Sequence, residues 1–511
     1  MKSQLRAADS SRAASDGISK AVGQPDSALK VGARFDSPRL LRIHDRIFCA
    51  TGYAISNVIY VVTGKGVVVI DTTESVTSAR ASMEEFRKFC QLPVSHIIYT
   101  HFHGDHIRGA KVFHESSTRV IAQRKLPEEV AYVARMLPYR KRVTALQFGF
   151  QLELKQRGVA MVSELENGYV PPDILFDEEY RFRAGDLSFE LFHTQGETAD
   201  HLMVWIPRLQ VLLPGDLYYA KFPMLSNPMR PDRPVLAWAE SLERMRALHA
   251  EYLVPSHGDP VVGAGEIDLV LSNYARAIRH VHDMTVKLIN DGLPLERIRE
   301  QVKLPEDLAS LPYLRECYGK VAWSVNGVFR QHTGWFGFDP AELNPITKGE
   351  FRSALIEAMG TPAPLVKRAR KALDDGRHQL ALELADAVLG ARPGNIAAKA
   401  VRSRALQGLA AAAENGVEQN IYRTAVKHAR MALDPLDSPP SHRARLHYYS
   451  GIWVRPGEPG LKQERKSLTR IAQLKSPGDQ VADTEGLEKD TARNVNEFYD
   501  QRMHRRAAQR R

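Results

Sequence analysis

At 511 residues the chain is about three times an average domain of ~150, so two or three domains are expected, each large enough to bury a core. With 43% hydrophobic and 25% charged residues it is not a disordered, collagen-like or coiled-coil chain, and no run approaches the ~20 apolar residues that span a bilayer. Lys and Arg number 70 against 60 Asp and Glu, and half of that excess lies beyond Leu436; the run Arg502–Arg511 has neither aromatic interleaving nor a binding motif, so it predicts a solvated tail and no nucleic-acid partner.

Residues 1–34, rich in Ser, Ala and charge, read as a disordered leader without the apolar core of a secretory signal, which predicts a cytoplasmic protein. Cys49, Cys90 and Cys317 are widely spaced and odd in number, as expected in a reducing compartment. From Arg39 short β-branched runs begin. Ile55–Thr63 and Val67–Ile70 flank a Gly-Lys-Gly turn and predict a hairpin, followed by a helix over Val76–Cys90 and a buried strand over Val94–Thr100. Further strands are expected at Val120–Ala122, Leu187–Phe192, Leu202–Ile206, Val211–Leu213 and Tyr252–Val254, so this part is α/β. Past about Glu266 strand signals stop. Leu269–Ile289 predicts one long helix, and Leu365–Leu409, broken at Gly376 and at Arg392-Pro-Gly-Asn395, reads as tetratricopeptide-like repeats or, nearly as well, a plain helical hairpin. The Pro- and Gly-punctuated stretch 435–511 predicts little fixed structure.

The strand ending at Thr100 runs into His101-Phe-His-Gly-Asp-His106, which places four potential metal ligands within six residues. His101 and His103 can converge on one cation while Asp105 and His106 turn to a second, and imidazoles with a carboxylate suit Zn²⁺ or a similar divalent ion.

This motif resembles the HxHxDH signature of the metallo-β-lactamase fold superfamily, an αββα sandwich. The resemblance implies further ligands in chain order: Glu197 in Phe192-His-Thr-Gln-Gly-Glu197, a bridging Asp216 in Leu213-Pro-Gly-Asp216, and His257 in Val254-Pro-Ser-His257, with Asp71 as a buried supporting acid. Glutamate at 197, where most members carry histidine, is similar to the alkyl sulfatase branch. Tyr139-Arg-Lys-Arg with Gln147-Phe-Gly, Tyr318-Gly-Lys-Val and Gly334-Trp-Phe-Gly resemble that branch too, the last two resembling the start of its helical dimerisation domain. Two departures stand out. Asp216 occupies a place where the branch usually has glutamate, and the tail is too short for the branch's C-terminal sterol-carrier-like domain.

The resemblance therefore implies a metallo-β-lactamase-like catalytic domain over 35–265 and a helical dimerisation domain over 266–434, active as a homodimer. His101, His103, Glu197 and Asp216 would hold one ion, and Asp105, His106, Asp216 and His257 the other, with Asp105, Glu197 and Asp216 catalytic. The expected activity is dinuclear hydrolysis of a small anionic ester, an alkyl sulfate. Another hydrolysis on the same fold (lactone, thioester or phosphodiester) and a non-catalytic helical scaffold are the alternatives. Three carboxylates with a hydroxide cancel two divalent cations, whereas histidine at 197 would leave a positive site. Arginine must then attract the anion, and Arg230 (backed by Arg233), Arg140 and Arg142 are the candidates. His193 is expected to be packed rather than a ligand, and His201 either supports the site or starts a strand.

Overall fold

The computed structural model describes residues 38–153, 156–157, 167–337 and 339–431, without the side chains of 430 and 431. The expected leader and tail lie outside the described residues. The described residues other than Val130–Arg142 form one compact unit, and Val130–Arg142 belongs to another.

The larger unit contains two sheets. The first runs β1 (Arg39–His44), β2 (Ile47–Thr51), β3 (Val58–Val62), β4 (Val67–Ile70), β5 (Val94–Ile98), β6 (Arg119–Gln123), β7 (Ile174–Phe176), side by side in that order. β1 to β4 pair antiparallel, and β4 to β7 parallel. The second contains β8 (Glu179–Ala184), β9 (Leu187–His193), β10 (Leu202–Ile206), β11 (Val211–Leu213), β12 (Tyr252–Leu253) and β13 (Val261–Val262), also in chain order. There only β11 and β12 are parallel.

β3, β4 and β10 are unbroken apolar runs because both of their faces are covered. Between the sheets Ile59, Val61, Val68 and Ile98 meet Phe189, Leu191, Val204 and Leu213. On the outer face of the second sheet Met203, Trp205 and Leu212 pack under the helices Val235–Arg246 and Ala264–Asn290. On the outer face of the first, Phe86 of the helix Val76–Arg87 stacks on Tyr60 with ring centroids 4.1 Å apart. Helix, sheet, sheet and helix thus form the layers expected from the sequence.

One expected strand is shorter than its β-branched residues suggest. Ile55–Asn57 leaves the ladder because its polar groups serve another loop. The Asn57 N–H donates to the Ser256 carbonyl at 2.7 Å, and its side-chain amide donates to the carbonyls of Pro255 and Gly258, each at 2.9 Å. The helix after β4 likewise ends at Arg87 rather than Cys90.

Beyond Val262 the described residues contain helices and no strands. Ala363–Asp374, His378–Ala391 and Ile396–Ala412 pack through Ala369, Ala372, Ala381, Ala385, Val401 and Ala405, small side chains that let helices approach closely. The last helix of the described residues, Gly416–Met431, returns to the sandwich. Its Val417 packs on Phe148 and Met224, and Asn415 at its start donates to the carbonyls of Glu316 (3.0 Å), Tyr318 (2.9 Å) and Gly319 (3.3 Å). Among the described residues no helix is long and apolar enough to cross a membrane.

Candidate metal centre

Chain turns after β5, β9, β11 and β12 converge at one end of the sandwich. They bring together His101, His103, Glu197 and Asp216 in one group and Asp105, His106 and His257 in another. Within each group the donor atoms lie within 4.8 Å of one another. The two groups meet at Asp216. Its Oδ2 is 3.2 Å from His257 Nε2, 3.6 Å from His106 Nε2 and 3.9 Å from His101 Nε2. One carboxylate oxygen is therefore within reach of both groups.

The imidazoles are aimed by what their other nitrogens do. Asp71, buried and at φ +56°, accepts hydrogen bonds from the Thr100 N–H and hydroxyl (2.9 Å each), from Ser256 (2.6 Å) and from His106 Nδ1 (2.7 Å). Because the Thr100 hydroxyl hydrogen goes to Asp71, its oxygen accepts from His101 Nδ1 at 3.1 Å, and His257 Nδ1 donates to the Ile55 carbonyl at 2.8 Å. Each arrangement leaves an Nε2 lone pair facing the cluster. His101 Nε2 and His103 Nδ1 end 2.8 Å apart, close enough to share a proton or to turn to one cation.

Charge tells the same story. Burial pushes His103 down to about 3. It also pushes the Glu197 carboxyl above its usual range, against the pull of Arg233. Burial would lower His257 as well, but Asp216 and Asp105 raise it to about 9. Among the described residues His106 Nε2, Glu197 Oε2 and Asp216 Oδ1 are buried without a hydrogen-bond partner. Orphaned nitrogen and carboxylate donors at this density are costly unless a cation fills the space, and they suit a first-row divalent ion. The residues fit a binuclear metal site.

His201 supports the site rather than joining it. Its Nδ1 donates to the Thr194 hydroxyl at 2.7 Å and its Nε2 accepts the Asp216 N–H at 3.1 Å, in a pocket that pushes its pKa down to about 3 by burial. Gly215 keeps φ at +58°, and a Cβ there would lie 2.4 Å from His201 Nε2. His201→Leu strands the Asp216 N–H, a loss of about 1–3 kcal/mol. Weaker metal retention in a chelator competition is expected, with His201→Gln, which keeps an acceptor, recovering part of it. Equal retention in wild type and His201→Leu would contradict this role. His193, as expected, is packed, its Nε2 on the Ala199 carbonyl at 3.0 Å.

The arginines divide differently from the expectation. Arg233, taken from sequence as a reserve for Arg230, is committed to Glu197, to the Met224 carbonyl (2.7 Å) and to the face of Trp238 (5.5 Å). Its charge cancels that of Glu197, so the pair stands in for one neutral ligand. This link was not legible in sequence, since both residues sit on loops 36 positions apart. Arg230 is half-buried on the loop after β11, and its charge acts on His103. Arg140 and Arg142, half-buried and exposed, lie in the Val130–Arg142 unit and have no ion-pair partner among the described residues.

The family model described as metallo-beta-lactamase superfamily matches residues 51–257, and the one described as alkyl sulfatase dimerisation matches 295–431. A linear primary-alkylsulfatase of Pseudomonas sp. (strain ATCC 19151) is 31% identical over 376 residues, covering 70% of this chain and 71% of the relative. An (R)-specific secondary-alkylsulfatase of Pseudomonas sp. is 25% identical over 431 residues, covering 78% of this chain and 64% of the relative. The solved structure of a stereoselective inverting sec-alkylsulfatase from Pseudomonas sp. superposes with a TM-score of 0.73 at 23% identity, covering 83% of this chain and 70% of that one.

Proposed function

Because the chain belongs to the alkylsulfatase family of the metallo-β-lactamase superfamily, we propose that it is a homodimeric hydrolase of alkyl sulfate esters working with two divalent cations, Zn²⁺ being the ion its histidine–carboxylate donors suit. His101, His103 and Glu197 would hold one ion and Asp105, His106 and His257 the other, with Asp216 between them. Bound cations supply Lewis-acid polarisation and activation of water near neutral pH. The chain's own groups do the rest. Asp71 and the Ile55 carbonyl fix the tautomers of His106 and His257, Arg233 offsets Glu197, and Arg230 attracts the sulfate. The helical region 295–431 pairs two copies.

The observation that carries this reading is the pair of donor groups that meet at Asp216, in a chain whose relatives are named alkylsulfatases. The experiment is chelation and repletion of the purified protein, with metal analysis and a panel of short and long alkyl sulfates, a phosphate diester and a lactone. Two cations per chain and turnover of a sulfate are expected. Turnover confined to the phosphate or lactone would overturn the substrate class, and no retained metal would overturn the centre. Repletion of both sites at a hundred times their dissociation constants should add about 5 kcal/mol, roughly 2.7 per ion, a rise in Tm on the order of 5 °C by scanning fluorimetry. Sedimentation should give twice the monomer mass.

A further inference from the structure

Arg230 is pinned along one edge of its guanidinium. Nε donates to Oε1 of Gln147 at 3.1 Å and Nη2 to the hydroxyl of Thr144 at 3.0 Å. Gln147, only 3% exposed, is held at every polar atom these bonds leave over. Its Nε2 donates to the Tyr318 hydroxyl at 3.0 Å, and its main-chain carbonyl accepts from Nδ2 of Asn420 at 2.8 Å, an asparagine with no exposed surface. The direction of the amide is set by Arg230: a flip would turn its N–H against the Arg230 N–H. Asn420 belongs to the last helix, whose Val417 packs on Phe148, the neighbour of Gln147. Arg230 therefore has its direction set by a residue that is itself set from the helix Gly416–Met431.

We propose that Gln147, anchored by Asn420, is a positioning residue for the anionic end of the substrate, fixing the plane and direction in which Arg230 meets it. The inference rests on the alkyl sulfatase reading. A long, rotamer-rich arginine loses freedom when it binds an anion; one already clamped has lost that freedom beforehand, so the clamp appears in anion affinity. It should leave the recognition of the alkyl part and the metals untouched.

The test uses the full-length, metal-loaded protein with Gln147→Leu, Asn420→Ala, Arg230→Ala and the Gln147→Leu/Arg230→Ala pair. The readouts are KM and kcat on an alkyl sulfate, inhibition by inorganic sulfate and by the product alkanol, and metal content. For Gln147→Leu, KM and the inhibition constant of sulfate should rise about tenfold. Its kcat should stay within about threefold, with alkanol inhibition and metal content as in wild type. Asn420→Ala should shift the same constants about threefold. In the Arg230→Ala background Gln147→Leu should add less than about twofold, because the two act as a unit. An unchanged KM, or losses that multiply in the double variant, overturns the inference. If Gln147→Leu does not fold, Asn420→Ala decides alone, and unchanged sulfate inhibition there overturns it. A wild type inert to every alkyl sulfate overturns the underlying reading and this with it; an active wild type with a normal Gln147→Leu overturns only this.

Discussion

Asp216→Ala is expected to lower kcat/KM on an alkyl sulfate by at least about 10³-fold and to cut bound metal from two ions per chain to one or none. The reason is geometric. Asp216 offers an oxygen to both donor groups, lying within 3.2–3.9 Å of His257, His106 and His101. It is also the counter-charge that keeps His257 and His106 high, although burial works against both. Without it the two groups lose their common member. Asp216→Asn separates shape from charge: it fills the same space and should keep the fold while still losing an ion. Metal analysis alongside kinetics checks both, and a variant with two ions and near wild-type turnover would end the shared-carboxylate account.

Arg233→Met should destabilise the chelated protein by about 3–5 kcal/mol, because it leaves Glu197 buried beside Asp216 without its cation. The metal-loaded protein should lose less, since a bound ion takes over as the partner of Glu197. Glu197→His leaves the opposite orphan, a largely buried Arg233 next to two cations, and should weaken metal retention by about 100-fold or more. The combined Glu197→His/Arg233→Met variant removes both charges and should bind metal within about tenfold of wild type. Urea unfolding with and without chelator, and chelator competition, provide the numbers. Losses that simply add in the double variant would mean that the two residues are not a working pair.

These residues also mark the limit of what sequence reveals. β10 and β11 were legible because both are continuous apolar runs with sharp ends, and the His101–His106 cluster because four donors follow an apolar strand. Glu197, Asp216 and His257 are single polar residues on separate loops; only the order of motifs in a family singles them out. Ile55–Asn57 misled because β-branched residues report strand preference and say nothing of the loop at 255–258 that claims the backbone. The Glu197–Arg233 pair and the bond from Asn420 to Gln147, 273 positions apart, are contacts between loops and helix ends, where no periodicity exists to be read.

The last helix has a consequence for protein engineering. Asn415 and Asn420 grip the 316–319 loop and Gln147 from within the helical region. Grafting that region from a relative would therefore also replace the residue that holds Gln147, and chimeras should differ from their parents in affinity for the anionic end of the substrate.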